Sequence, residues 1–189
     1  MMKKYISVCL LALVAACSSP NPDFFQPVPM MVSTERYPNV TSMILLNQVL
    51  MAPETTRPQI TTLGKKDFQV KIDEFNRWGA APERLVQRVI NQNLSQLMPN
   101  AMVENQSTLR KNYKYAVVVE IQEMSGRLNE NTYLKASYFI RNKKGKIIKS
   151  GRFNKEMVIK GGYEEYVPAH SKLLAELSAQ IAKDLAKLK

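Results

Sequence analysis

His170 and Ser171 are the two adjacent residues that could act together in nucleophilic catalysis, and His170 is the only histidine of the 189-residue chain. In a hydrolase, the histidine takes the proton of a serine hydroxyl, and a carboxylate orients the histidine. Adjacent residues at the start of a helix point in different directions, however, and no Gly-x-Ser-x-Gly turn presents the serine. No spacing identifies the orienting carboxylate either. The sequence therefore predicts a non-catalytic histidine, placed at the start of a helix or at an interface.

Other clusters of polar residues give no stronger sign of chemistry. The Lys-Lys-Gly-Lys run over 143–146 lacks the eight-residue spacing of a phosphate-binding loop. Gly161 and Gly162 are typical of a turn before the last helix. One histidine and scattered carboxylates offer no set of metal ligands. The sequence thus predicts no catalytic residue, no metal and no cofactor. It favours a binding or assembly protein over an enzyme.

Residues 1–16 have the pattern of a secretory signal peptide. Lys3 and Lys4 precede an uncharged, mostly apolar stretch that ends at Ala16. This stretch is shorter than the about 20 apolar residues that a transmembrane helix needs. Cys9 would leave with the signal peptide, so the mature chain would keep Cys17 alone. We therefore expect neither a disulfide nor a cysteine nucleophile.

The sequence VAAC over residues 14–17 resembles a bacterial lipobox. The resemblance implies diacylglycerol on the sulfur of Cys17, cleavage before this residue and acylation of its new amino group. Each buried CH₂ contributes about 0.8 kcal/mol, so three acyl chains would hold the protein firmly in a membrane. Ser18, in place of Asp, implies sorting to the outer membrane, with the protein facing the periplasm.

The formal net charge of +11 would indicate a nucleic-acid partner in a cytosolic protein. In a periplasmic lipoprotein, anionic lipid headgroups or an acidic protein surface are better matched to this charge. A plain solvated basic surface is the third interpretation. We predict no nucleic-acid partner.

Residues 17–38 are predicted to be a tether, because five prolines interrupt any regular pattern between residues 18 and 38. Four apolar side chains are unusual for a plain linker. They are expected to dock on the body, on a partner or at the membrane surface: Phe24, Phe25, Met30 and Met31. The folded domain is predicted to cover 39–189.

Hydrophobic periodicity within this domain predicts strands and two helices. Residues 42–51 favour a strand buried on both faces, and 57–63 a short second strand. Over 65–75 the pattern alternates and predicts a half-buried strand with Phe68, Val70 and Ile72 on its buried face. Residues 102–105, 114–124, 132–140 and 146–159 favour further strands, with 114–124 central and the last three forming a meander.

Two segments have helical spacing. The first begins near Pro82, stops at Pro99 and has an apolar stripe of Leu85, Val86, Val89, Ile90, Leu94, Leu97 and Met98. The second begins at Glu164 or Pro168, runs to Leu188 and has a stripe of Leu173, Leu174, Leu177, Ile181, Leu185 and Leu188. Helices with one apolar face must cover a sheet. The sequence predicts a single α/β domain, with a mixed, mostly antiparallel sheet and two main helices packed on it.

Three segments carry a resemblance to a known family. Residues 51–62 (MAPETTRPQITT), 75–94 (FNRWGAAPERLVQRVINQNL) and 161–185 (GGYEEYVPAHSKLLAELSAQIAKDL) resemble the RPQIV stretch, the RW segment and the closing helix of the PqiC/YmbA family. These are auxiliary lipoproteins of MCE-type ABC systems that move lipid between membranes. The resemblance implies a fold similar to the N-terminal domain of TolB. It marks as candidates for partner binding Arg57, Pro58, Gln59, Ile60, Arg77 and Trp78.

The resemblance also implies a role. The protein would sit at the outer membrane beside an MCE-domain protein, and would dock or close its lipid conduit without chemistry of its own. Arg57 and Arg77 would pair with carboxylates of the partner, and Trp78 would serve as an apolar anchor or pack in the core. Because MCE proteins form rings, a matching ring of this chain is expected.

Two alternatives remain open at this point. The first is an assembly lipoprotein of the LptE type, which binds lipopolysaccharide and a β-barrel and which a basic surface would suit. The second is an envelope enzyme, which rests on His170 and Ser171 alone.

Overall fold

The described residues form nine strands and two α-helices. The structure is a computed structural model that describes residues 20–66, 68–105 and 112–188, without the side chain of Glu54. The predicted signal peptide and Cys17 lie outside the described residues. In chain order the elements are β1 (Asp23–Phe25), β2 (Met43–Leu46), β3 (Leu50–Met51), a 3₁₀ turn (Pro53–Thr55), β4 (Gln59–Leu63), β5 (Val70–Trp78), α1 (Pro82–Leu97), β6 (Met102–Asn105), β7 (Tyr115–Arg127), β8 (Asn131–Asn142), β9 (Ile147–Val158) and α2 (Tyr163–Ala186).

Strand β7 is the centre of the larger sheet, as its β-branched sequence predicts. The strand order is β6-β2-β7-β8-β9, and β3 pairs with β7 beyond β2. β7, β8 and β9 form the predicted antiparallel meander. β2 pairs in parallel with both β6 and β7, and β3 pairs in parallel with β7. The predicted strand over 42–51 is divided into β2 and β3, and Leu50 in β3 is 53% exposed where burial on both faces was expected.

Both helices pack with their apolar faces against this sheet and each other. The predicted stripe of α1 is buried, with every member at most 3% exposed. Pro82 occupies the first turn as expected. Helix α2 begins at Tyr163, so Pro168 lies inside it rather than at its start. The hydroxyl of Tyr138 on β8 donates to the Asp184 carboxylate at 2.6 Å and ties α2 to the sheet. The α/β class with two packed helices is confirmed.

A second, three-stranded sheet has the order β1-β5-β4. Strand β1 comes from the predicted tether and pairs in parallel with β5. A proline has no backbone N–H to donate, but the nearest prolines, Pro22 and Pro27, fall outside β1. As an edge strand, β1 also needs donors only on its paired side. Where a tether was predicted, the chain from Asp23 onward is thus docked on the body.

The segment after β1 continues this docking across both helices. The Val28 amide donates to Ser171 Oγ on α2 at 3.0 Å, and the Met30 amide donates to Asn93 Oδ1 on α1 at 3.1 Å. Of the three predicted docking surfaces for the apolar tether residues, Phe25 uses the body, with its ring 5.6 Å from that of Tyr163. These contacts position the N-terminal chain along one side of the domain.

The predicted burial of β5 is wrong. Phe68, Val70 and Ile72 are 81%, 63% and 47% exposed, respectively. In the antiparallel pair, Ile72 lies opposite Thr61 and Val70 opposite Leu63, and directly opposite residues share a face. The buried residues of β4 are instead Ile60 and Thr62, at 0% and 4% exposure, on the other face. The alternation of β5 is real, but its apolar residues point away from the core.

Candidate binding site on the three-stranded sheet

Two of the three segments that carry the family resemblance, 51–62 and 75–94, meet at one end of the three-stranded sheet. Gln59 of β4 lies opposite Arg77 of β5, and the Trp78 amide donates to the Pro58 carbonyl at 2.7 Å. Arg77 in turn lies opposite Phe24 of β1. Phe24, Arg77 and Gln59 therefore form a row across the three strands, which we call the arginine row.

The arginine row is partly exposed and partly held by internal hydrogen bonds. Phe24 is 64% exposed, and the Arg77 side chain is 35% exposed. Arg77 Nε donates to the Glu74 carbonyl at 2.8 Å, and Gln59 Nε2 donates to the Glu74 carboxylate at 3.2 Å. The Arg77 guanidinium also lies 3.5 Å from that carboxylate. Such exposed pairs contribute little to stability. Arg77 is thus held in place while its charge remains accessible to a partner.

The other candidate residues divide between surface and core. Arg57 and Pro58 are exposed beside the row. Ile60 is fully buried, and Trp78 is only 7% exposed. Of the two roles considered for Trp78, the side chain has the position of core packing. Of the six candidates, Ile60 and Trp78 are therefore core residues, and the other four lie at or near the surface.

A cleft of about 770 Å³ opens at the other end of the same sheet. It lies between the β4–β5 hairpin, the β7–β8 turn and the start of α2, and residues that line it include Thr62, Lys71, Phe75, Arg127, Glu130 and Tyr163. Arg127 Nε donates to the Gly64 carbonyl at 2.9 Å and so joins the turn to the hairpin.

The Tyr163 hydroxyl donates to Asp73 Oδ2 at 2.9 Å beside this cleft. Burial raises the pKa of Tyr163, and the Asp73 carboxylate raises it further. For Asp73, burial also raises the pKa. Hydrogen bonds from the Phe75 amide, Tyr163 and Asn76 lower the pKa by more, so that it falls below the ordinary value. At neutral pH Tyr163 is therefore protonated and Asp73 is ionised, so neither group titrates there. Their hydrogen bond holds β5 to α2.

His170 lies inside α2 and is fully buried, not at a helix start or an interface as predicted. Burial lowers its pKa to about 3, so the ring is neutral at pH 7. Its ring stands edge-on to Tyr166 at 4.5 Å, and neither ring nitrogen has a hydrogen-bond partner among the described residues.

Ser171 is engaged elsewhere, because its hydroxyl donates to the Val167 carbonyl at 3.1 Å and accepts from the Val28 amide. The pair therefore forms no nucleophile and base. Within 20–66, 68–105 and 112–188, no group of three His, Cys, Asp or Glu side chains is placed to hold a metal. No helix among these residues is long and apolar enough to span a membrane.

The sequence indicated Gln59 and Arg77 of the arginine row and singled out Phe24 as a docking residue. It did not place Phe24 beside Arg77, because nothing local indicates that the proline-rich segment adds a strand. The cleft was missed as well, since its walls come from three distant parts of the chain. The period-two pattern at 68–72 was the available signal for a surface there, but a period alone does not say which face is covered.

The exposed sheet face and the open cleft are the two surfaces on which a partner could bind, whereas the histidine is buried in the core. A family model described as "ABC-type transport auxiliary lipoprotein component" matches residues 25–182. The chain belongs to this family, and the resemblance to PqiC/YmbA-type lipoproteins is confirmed.

Two solved structures share the fold. A crystal structure of an uncharacterized protein is 20% identical, with a TM-score of 0.74, over 88% of this chain and 99% of that chain. A DUF330 protein from Xanthomonas campestris is 10% identical, with a TM-score of 0.71, over 85% of this chain and 92% of that chain. No curated protein sequence matches this chain closely enough to support a relationship.

Proposed function

We propose that this chain is an outer-membrane-anchored periplasmic lipoprotein of an MCE-type intermembrane lipid transport system. It docks on the MCE-domain protein or closes its lipid conduit at the outer membrane. The observation that carries the proposal is the family match over residues 25–182, which makes the chain an auxiliary lipoprotein of an ABC-type transport system. Acylation of Cys17 supplies the anchor, and the protein performs no catalysis and needs no cofactor.

The arginine row and the neighbouring Arg57 are the docking surface in this proposal. A guanidinium presents several donors in a planar fork that matches a carboxylate. Phe24 beside Arg77 adds an exposed aromatic side chain, the type that most often carries binding energy at interfaces. An acidic and apolar patch on the MCE-domain protein fits this surface. Copies of the chain arranged as a ring would repeat the surface around the opening of the conduit.

Crosslinking in living cells, followed by purification from membranes and mass spectrometry, tests the docking surface. The double variant Arg57→Glu, Arg77→Glu is expected to reduce recovery of the MCE-domain protein at least tenfold. Arg141→Glu, an exposed arginine on β8, is the matched control and should leave recovery unchanged. Trp78→Ala is a poor probe, because truncating a buried tryptophan costs about 3–5 kcal/mol and unfolds many domains.

Three results would count against the proposal. Equal loss in both variants would mean that charge in general, and not this surface, is recognised. Recovery of a β-barrel with lipopolysaccharide and no MCE-domain protein would favour the LptE-like assembly role. A Cys17→Ala variant that remains in the outer membrane would contradict the anchor. The ring is tested separately, since a monomeric mass in detergent contradicts that part alone.

A further inference from the structure

The tip of the β4–β5 hairpin is the most exposed apolar surface of the three-stranded sheet. Phe68, Val70 and Ile72, which we call the hairpin face, point away from the core although each belongs to a residue type that is usually buried. Large apolar side chains exposed so near each other in sequence suit an interaction site. It lies at the opposite end of β5 from the arginine row, so it is a separate surface.

Lysine side chains lie beside the hairpin face. Lys65 and Lys66 are exposed, and the Lys66 ammonium lies 5.6 Å from the centre of the Phe68 ring. Lys71 is exposed on the opposite face of β5. In the sequence from 64 to 71, three lysines stand against one acidic residue, Asp67. Apolar side chains with cations beside them suit the boundary between anionic headgroups and acyl chains. The apolar side chains would enter this boundary, and the lysine stems leave their charges at the headgroups.

The direction of β1 brings the N-terminal chain towards the same end of the molecule. β1 runs parallel to β5, with Asp23 opposite Asn76 and Phe25 opposite Trp78. Moving backward from Asp23 towards the N-terminus therefore means moving towards Val70. Val70 lies six residues before Asn76, about 20 Å along the strand. Cys17 lies six residues before Asp23, a span of at most about 20 Å. An anchor at Cys17 is thus within reach of the hairpin face.

We propose that the hairpin face is a second membrane contact, with Phe68 inserted among the headgroups of the anionic phospholipid bilayer that carries the acyl chains of Cys17. The inference rests on the proposed lipid anchor. Two contacts at one end fix the orientation of the domain, which one flexible anchor cannot do. The turn at 143–146 then points away from the membrane, and the arginine row lies above the bilayer, where a periplasmic partner can reach it.

The test uses the mature, acylated protein in vesicles of phosphatidylethanolamine and phosphatidylglycerol. A nitrobenzoxadiazole dye is attached to Phe68→Cys, and quenching by a spin-labelled lipid reports whether the dye meets the bilayer. Ile147→Cys is the matched control, because Ile147 is also exposed, at 48%. Ile147 lies opposite Arg141, ten residues along β8 from Asn131 at the hairpin end, about 33 Å away.

Lipid quenching and a blue-shifted emission are expected at position 68, several-fold stronger than at position 147. Adding Lys66→Glu should weaken the quenching, whereas Lys144→Glu in the distant turn should not. Equal quenching at both positions, or none at position 68, would overturn the inference. A third result would also overturn it: a blue shift that grows with protein concentration and is not accompanied by lipid quenching. A second copy of the chain would then cover the hairpin face.

Failure of the anchor itself is visible in the same samples. An acylated Cys17 has no thiol, so each variant should take up one dye. A second dye on Cys17, or protein that does not stay with the vesicles, would contradict the proposed anchor. One dye, retained protein and no quenching at position 68 would contradict only the hairpin inference.

Discussion

His170 should make the stability of the protein depend on pH in a range where few other groups titrate. The ring is fully buried, and burial lowers its pKa from 6.5 to about 3. As the pH falls below 6.5, the unfolded chain binds a proton that the folded chain refuses. The free energy of unfolding therefore decreases from about pH 6.5 down to about pH 3. Above pH 6.5 His170 contributes no pH dependence.

The size of this effect follows from the difference between the two pKa values. Each pH unit between them is worth about 1.4 kcal/mol. Lowering the pH from 7.5 to 5.0 should then cost about 2 kcal/mol through His170 alone. Carboxyl groups with a lowered pKa, such as Asp73, lose their contribution only below about pH 4, outside this range.

The variant His170→Phe keeps an aromatic ring against Tyr166 and removes the titrating group. Its unfolding free energy should change by less than about 0.5 kcal/mol between pH 7.5 and pH 5.0. At pH 7.5 it should be about 1 kcal/mol more stable than the wild type, since a buried N–H without a partner is lost.

Urea unfolding followed by circular dichroism at both pH values measures these differences. Tyr166→Phe is the control, because it removes a neighbouring hydroxyl that donates to the Thr61 carbonyl at 3.2 Å but leaves His170 in place. It should keep the pH dependence of the wild type. The reasoning is refuted if His170→Phe loses as much unfolding free energy at pH 5.0 as the wild type does. The loss would then come from other groups, and His170 would bind a proton in the folded protein as readily as in the unfolded one.

Two further predictions concern contacts that hold the N-terminal chain and the sheet. Ser171→Ala removes the acceptor of the Val28 amide. Losing this hydrogen bond should cost about 1 kcal/mol and speed amide hydrogen exchange at Val28 about fivefold. Unchanged exchange would mean that other contacts hold the segment. Gly151→Ala places a methyl group 2.3 Å from the Tyr138 ring. Overpacking of this kind should lower the free energy of unfolding, measured in urea, by about 1–3 kcal/mol. An unchanged free energy would show that the ring shifts freely.

The elements that the sequence predicts well are those with local signals. Pro82 and Pro99 bracket α1, and its apolar spacing leaves one face to bury. Gly145, with φ of 81°, makes the turn of the β8–β9 hairpin, a conformation that glycine adopts without strain. β7 is rich in β-branched residues, which is typical of a central strand. In each case the information lies within a few residues.

The parts that could not be predicted depend on pairing between distant segments. Strand β1 exists because β5 offers it an edge, and the prolines around it hide this from a local reading. The arginine row joins Phe24 of β1 to Gln59 and Arg77 of the β4–β5 hairpin, and no pattern in either segment indicates the other. Trp78 shows the same limit, because its chemistry suits an interface as well as a core. Only the packing of its neighbours decides between the two.

The two faces of the β4–β5 hairpin should respond differently to the same substitution. Ile60→Thr places a hydroxyl at a fully buried site and removes apolar contacts, so it should cost about 2 kcal/mol or more. Ile72→Thr keeps a β-branched residue at a site that is 47% exposed and should change stability by less than about 0.5 kcal/mol. Urea unfolding of the isolated, monomeric protein compares them. Equal losses would mean that the hairpin face is already covered in that protein, and a surface that needs no partner for burial could not serve as a membrane contact.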